Sequence, residues 1–437
     1  MSKKIQHVLL CVGFAAVLAV AIYGCSRLLE YKEATEKYTT FYEAETNFDV
    51  IFLGTSHAYG SVYPMELWKE YGIASYNWGY NHCAVAENYH LMREIAKRTD
   101  PKLFVVDLYG LLEYDNWDGV GNGKYRTDKS GEQHVQFDAI PLSRDKIDAV
   151  WDIFDDYDQR LDYLWNFILY HNRWEDLGSR DFLADELPLM GATIYSGVGT
   201  HGPYTPTETE RMDLTEIVGY QYLLKMMEFC AENDIQLLCT YLPYPAKPAS
   251  QQVANALEEI VNGYPNCRFL NMLEAEGLNY PADLYTDNNH LNYLGACKVT
   301  SQLGAYILEN YDVTSRGDAP AYRDYWDGYY ARYYDYKANL LSGEAGLYEQ
   351  LLLLYGTDFR AELTVTPTAA DALAQDGIAA AILSDLGNTL TLRTAEEILV
   401  GETPCDLRLE VWRCDSGGHL QSRGFALDGA GGYAPLG

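Results

Sequence analysis

Two short stretches of the chain hold residue types that can do chemistry together. At Gly54-Thr55-Ser56-His57 a hydroxyl follows directly on the apolar run Asp49 to Leu53, DVIFL. In Tyr285-Thr286-Asp287-Asn288-Asn289-His290-Leu291-Asn292 a carboxylate and an imidazole stand three residues apart. That spacing lets Asp287 hold Nδ1–H of His290 while Nε2 faces elsewhere. If Nε2 meets the Ser56 hydroxyl, the imidazole can take its proton and later return it to a leaving group, which is nucleophilic acyl chemistry. Gly54 permits a tight turn that offers both the hydroxyl and the backbone N–H of Ser56 to a carbonyl. The plainer reading makes both stretches caps, since Ser or Thr after a strand, or Asp and Asn before a helix opening at Leu294-Gly295-Ala296, commonly serve that way.

The elements that must position these residues alternate. DVIFL reads as a buried strand, as do Leu103 to Leu108 (LFVVDL), Ile235 to Tyr241, and a shorter run from Arg268 to Met272. Helices are predicted over Ala86 to Lys97 and Leu214 to Asn233, the latter with Ile217, Tyr220, Leu224, Met227 and Cys230 on one stripe. Strands alternating with helices argue for an α/β fold, a parallel sheet covered on both faces in three layers. Between strands, Asp145 to Tyr170 carries spaced apolar residues and reads as part of a helical insertion covering about 140–215. Past Tyr311 comes a Tyr-rich helix, and from about Thr357 a small β-rich module with one helix at Ala369 to Gln375. Alternation at Leu407, Leu409 and Val411 suits a half-exposed antiparallel sheet.

The N-terminus has its own logic. Lys3 and Lys4 precede a charge-free run from Val8 to Gly24, ~17 residues and at the lower edge of a membrane-spanning helix. The lysines predict a cytoplasmic N-terminus and an extracytoplasmic domain after Arg27. No small-x-small cleavage site follows, which favours a retained signal anchor. A lipoprotein reading at Ile22-Tyr23-Gly24-Cys25 and a buried core helix are the alternatives. The expected organisation is an anchor over 1–27, a polar stalk over 28–46, the α/β domain over 47–315 and a C-terminal region over 316–437.

Composition narrows the partners. The chain has 437 residues, 48% apolar and 22% charged, enough to bury a core. Its net charge of −31 has no basic block, so it repels phosphate backbones and nucleic acid is excluded as a partner. The nine cysteines form no CxxC pair, and only Cys405 and Cys414 are close enough for a local bridge. The histidines lack matching carboxylate or cysteine spacing, so no metal and no cofactor is expected. Thirty-eight tyrosines suit stacking on sugar faces, or packing between helices and against membrane headgroups, for which the stretch 322–336 is one candidate.

GTSH at one end and DNNHLN at the other, in the chain order Ser, Asp, His, together resemble the SGNH/GDSL hydrolases over roughly Phe48 to Leu308. The resemblance implies a serine esterase fold with Ser56 as nucleophile, His290 as base and Asp287 as its orienter. With the anchor it looks most like the membrane-tethered members that move or remove acyl groups on exopolysaccharide or teichoic acid. An acylated polysaccharide or cell-wall polymer would then be the substrate, and a membrane-bound acyltransferase the partner if transfer is the reaction.

The sequence departs from the family in three places. Thr55 stands where the family usually has Asp. Asn77-Trp78-Gly79-Tyr80-Asn81-His82 lacks the second glycine of the Asn-x-Gly-x-x-Gly block, which leaves Gly79 and Asn81 as oxyanion candidates. Tyr109-Gly110-Leu111-Leu112 stands where Gly-x-Asn-Asp is usual, and a lost donor of that kind costs on the order of 3 kcal/mol of transition-state stabilisation. His171, Asn172 and Arg173 are candidate replacements or substrate contacts, against the plainer reading of a helix end closing a surface. His57 is a candidate pocket residue; His82 and His201 receive no role. A rival function is an anchored polysaccharide-binding protein with this fold and little turnover. Glycosidic cleavage by paired carboxylates has only the abundance of Asp behind it.

Overall fold

The computed structural model describes residues 3–113, 135–154, 156–182, 188–200, 208–428 and 432–436. With no proline in the charge-free run, the chain begins as one long helix, α1 (Lys3–Leu29), whose apolar side chains stay exposed along most of its length. By length and composition α1 is able to cross a bilayer. Next comes α2 (Lys32–Tyr42). Here the expectation of a stalk over 28–46 is corrected. Phe41 is fully buried, stacked on Phe48 with Tyr76 and Trp78 at its edges, so apolar burial draws α2 into the domain.

The site-bearing region starts at β1 (Val50–Leu53), followed by α3 (Ser56–Ser61), α4 (Pro64–Tyr71), β2 (Ser75–Asn77), α5 (Val85–Arg98) and β3 (Leu103–Asp107). All residues of these three strands are buried, which is why DVIFL and LFVVDL show no polar alternation. Then α6 (Gly110–Glu113), α7 (Val135–Asp138), α8 (Arg144–Ile153), α9 (Tyr157–Leu164) and α10 (Asn166–Tyr170) precede a 3-10 turn at His171–Glu175. Of these, α8 to α10 and the 3-10 turn lie in the insertion expected over about 140–215; 155, 183–187 and 201–207 lie outside the described residues. The region closes with α11 (Val218–Glu232), β4 (Gln236–Tyr241), α12 (Pro248–Asn262), β5 (Cys267–Asn271), α13 (Tyr280–Asp283) and α14 (Tyr293–Asn310).

The five strands form one all-parallel sheet in the order β2-β1-β3-β4-β5, with Val50 paired to both Ser75 and Leu103. Because β2 and β3 flank β1, successive connections leave in opposite directions there. A crevice opens at the carboxyl ends of β1 and β3. Ser56 and Tyr109 follow those two ends.

A second sheet follows α15 (Pro320–Gly343) and α16 (Leu347–Leu353). Its region holds β6 (Phe359–Val365), α17 (Pro367–Gln375), α18 (Gly377–Leu386), β7 (Leu390–Thr394), the pair β8 (Leu399–Val400) and β9 (Thr403–Pro404), β10 (Leu407–Arg413), β11 (His419–Leu427) and β12 (Tyr433–Pro435). The order is β12-β11-β10-β6-β7, and β6 pairs with β7 in parallel, so the sheet is mixed where an antiparallel one was expected. The reason is the helical crossover through α17 and α18, which returns the chain in the same direction. The Tyr-rich helix α15 fastens the two regions. Its Lys337 is buried with Nζ 2.9 Å from Glu66 on α4, 2.5 Å from Asp358 and 2.7 Å from the Tyr293 hydroxyl. Cys405 is buried and Cys414 exposed, and both are free thiols, so no local bridge forms.

Candidate active site

Gly54 begins the site. Its φ of 143° is one that side chains resist, and a Cβ there would lie 2.9 Å from Asp107 Cβ and 3.0 Å from Ala58 Cβ. Glycine therefore lets the chain turn sharply off β1 against the end of β3. Thr55 then caps α3 by accepting the His57 N–H, and Ser56 is the first residue of that helix. Among the described residues no group accepts the Ser56 N–H, as its place at a helix start requires.

The second segment arrives from the far end of the region. Asp287 Oδ1 accepts the backbone N–H groups of Asn289 at 2.9 Å and His290 at 3.0 Å, and Asn288, between Asp287 and Asn289, takes φ 58°. This closed turn aims the imidazole. Nδ1 of His290 lies 2.5 Å from Asp287 Oδ2, and Nε2 lies 2.7 Å from Ser56 Oγ. A carboxylate only accepts, so Nδ1 carries the proton and Nε2 is left to receive the serine's. Burial pulls the Asp287 carboxyl upward, but hydrogen bonds from His290 and Asn289 outweigh it and hold the group below its usual range. Two segments some 230 residues apart thus complete a hydroxyl–imidazole–carboxylate relay at the crevice.

Other expected residues fall on both sides of this relay. His57 is buried beside it, stacked on Tyr109 at 3.8 Å with Nε2 receiving Asn289 Nδ2–H at 3.2 Å. Burial, then the neighbouring His290, pushes its pKa well below the ordinary value, so it stays neutral. Gly79 packs on the turn, where a Cβ would meet Tyr59 N at 2.8 Å and Thr55 O at 2.9 Å. Its N–H is already donated to Asn77 Oδ1 at 2.9 Å, which removes it as an oxyanion donor. The Tyr80 N–H goes to Gly54 O, and the Asn81 side chain accepts the Tyr59 hydroxyl. The Ser56 N–H is the donor left on the nucleophile's own residue.

His171, Asn172 and Arg173 are not brought to the relay. His171 and Asn172 are exposed, and the His171 ring bonds Ile168 O locally. Arg173 donates to Leu29 O at 2.5 Å and Glu30 O at 2.9 Å, lies over the Tyr31 ring, and pairs with Asp181. It satisfies carbonyls that the end of α1 leaves open. His82 takes φ 54° in the loop after Asn81, and His201 lies outside the described residues.

Several residues went unread in the sequence. Fully buried Asn77 donates to Ala58 O and Val62 O, both at 2.9 Å, and so ties α3 to the loop after β2. Asp107, at the end of β3, is raised to about 7 by burial, against donation from Leu242 and Tyr109 N–H groups. Lys37 of α2 gives all its donors to the carbonyls of Asn77, Gly79 and Gly191, at 3.1, 2.7 and 3.2 Å. It lies at a cavity of ≈ 330 Å³ whose walls include Tyr59, Tyr80 and Asn81. Tyr195 bonds Tyr59 at 3.2 Å and stands 5.5 Å from the His290 ring, linking that cavity to the relay. Asn77, which opens the Asn-x-Gly block, and Asn289, inside the DNNH motif, carried a visible signal.

Among the described residues no group of acidic, histidine and cysteine side chains is arranged to hold a metal ion. Compared with protein-family models and with curated proteins, the chain matches none.

Proposed function

We propose that this protein is a membrane-anchored, extracytoplasmic serine esterase or O-acyltransferase of the SGNH/GDSL type, built as a flavodoxin-like three-layer sandwich. Its substrate is an acyl ester on a cell-envelope or extracellular polysaccharide. The observation that carries the reading is the chain of contacts from Ser56 Oγ to His290 Nε2 at 2.7 Å and from Nδ1 to Asp287 at 2.5 Å. Ser56 Oγ attacks the ester carbonyl as its proton passes to Nε2, and the Ser56 N–H donates to the oxyanion. His290 then gives the proton to the departing alkoxide, leaving an acyl-serine. Water or a sugar hydroxyl, deprotonated by the same imidazole, resolves it. Tyrosine faces around the ≈ 330 Å³ cavity support a sugar-bearing substrate, and α1 supports the anchor.

One observation favours a second reading, an anchored polysaccharide-binding protein with weak turnover. Gly79 N–H is engaged by Asn77, so the oxyanion has one donor fewer, worth on the order of 3 kcal/mol in a transition state. Full-length protein in detergent, offered a chromogenic acetyl ester and a fluorophosphonate probe, separates the two. Turnover with labelling that vanishes in Ser56→Ala supports the enzyme. Neither turnover nor labelling supports the binding protein and ends the acyl-serine proposal.

A further inference from the structure

Apart from α1 itself, most exposed large apolar side chains among the described residues belong to the helical insertion, with Tyr31, Leu392 and Leu399 outside it. Leu142, Trp151, Tyr157, Trp165, Trp174 and Phe182 are each between 41% and 70% exposed, and all lie on the helical insertion. Every exposed tryptophan among the described residues is in this group. Trp68, Trp78 and Trp326 are buried, and the Tyr-rich helix α15 turns Trp326, Tyr333 and Tyr334 inward. A patch of this kind marks an interaction surface, and tryptophan with tyrosine is the composition of a membrane–water boundary.

Its position relative to α1 names the occupant. The run from Val8 to Gly24 covers about 25 Å of helix, less than the ~30 Å hydrocarbon core of a bilayer. The whole available apolar length must then be immersed, and the bilayer boundary falls near Tyr23 to Arg27. Leu142, Leu164 and Trp165 face Ala19 and Ile22 across a cavity of ≈ 650 Å³, so they share the depth of the last immersed turn. Arg173 fixes this geometry by clamping Leu29 O and Glu30 O. We infer that the insertion lies on the bilayer and sinks this aromatic face into the interfacial layer beside α1, so that the protein is held by a helix and a platform together. The inference rests on the anchor reading. With a net charge of −31 the chain gains nothing from anionic headgroups, so apolar immersion holds the platform.

The test uses full-length protein reconstituted in phosphatidylcholine vesicles, a fraction of whose lipid carries a nitroxide high on the acyl chain. Tryptophan emission should be quenched in the wild type, with no dependence on salt. Most of that quench should be lost when Trp151→Phe, Trp165→Phe and Trp174→Phe are combined, in protein whose circular dichroism is unchanged. A second measurement needs no variant: a nitroxide high on the acyl chain should quench the wild type more than one near the end of the chain, because the platform lies at the interface. Protein that floats with the vesicles yet shows no nitroxide quench, or equal quench in wild type and triple variant, overturns the platform and leaves the anchor standing. Protein that fails to float overturns both.

Discussion

Replacing Asp287 distinguishes a working relay from three residues that merely touch. In the proposed reaction His290 becomes a cation as Ser56 attacks, and Asp287 faces that charge. For unit charges about 4 Å apart the attraction is ~1 kcal/mol in water and ~4 kcal/mol at the effective dielectric of a protein surface. Asp287 is 42% exposed, so its contribution falls between these, ~2–3 kcal/mol, or a factor of about 30–150 in rate. Asp287→Ala should lower kcat/KM by that factor. Asp287→Asn should do worse, ~10²–10³-fold, although it keeps the Oδ1 acceptor that closes the turn. Its amide would donate to Nδ1, moving the ring proton to Nε2 and presenting Ser56 with a donor where it needs an acceptor. The assay is hydrolysis of the chromogenic acetyl ester by full-length protein, with the rate of fluorophosphonate labelling beside it. An asparagine variant within about threefold of wild type, or one clearly faster than the alanine variant, would refute the reasoning.

His290→Ala should cost at least ~10³-fold in turnover, read in the same ester assay. Because His57 stays neutral and Asp287 stays ionised, kcat/KM should fall on the acid side with slope one; slope two would mean a second essential histidine. Asn77→Ala leaves the Val62 carbonyl and the Gly79 N–H unpaired, while Ala58 O keeps the Val62 N–H, and should cost ~2–4 kcal/mol in urea unfolding. Lys337→Met leaves the carboxylates of Glu66 and Asp358 to share Lys69, 3.8 Å from the first and 2.7 Å from the second, and should cost ~3 kcal/mol in the same measurement.

What the sequence made visible follows a physical divide. β1 and β3 were readable because strands buried on both faces are unbroken apolar runs, and the relay because its three members sit in two local motifs. β2 was not, since three residues, Ser-Tyr-Asn, carry no periodic signal. The helix α12 does carry one, in Val253, Leu257 and Val261 behind an initial proline. Arg173 reads the same whether it holds a substrate or a helix end, because a guanidinium near an aromatic fits both. Lys37 and Phe41 looked like parts of a solvated stalk, for only the folded neighbours Asn77, Gly191 and Trp78 give them an interior. Polar residues that work through distant backbone groups have no local spacing to betray them.

Lys37 has a practical consequence. It sits on α2, which follows directly on α1, and its Nζ donates to the carbonyls on either side of Trp78, in the loop that packs against the Ser56 turn. Any form trimmed at the apparent start of the α/β region would discard this lysine with α1 and unmake the loop it holds. Material for crystals or kinetics should therefore begin ahead of Lys32, and a trimmed form found inert would report on the trimming rather than on the proposed chemistry.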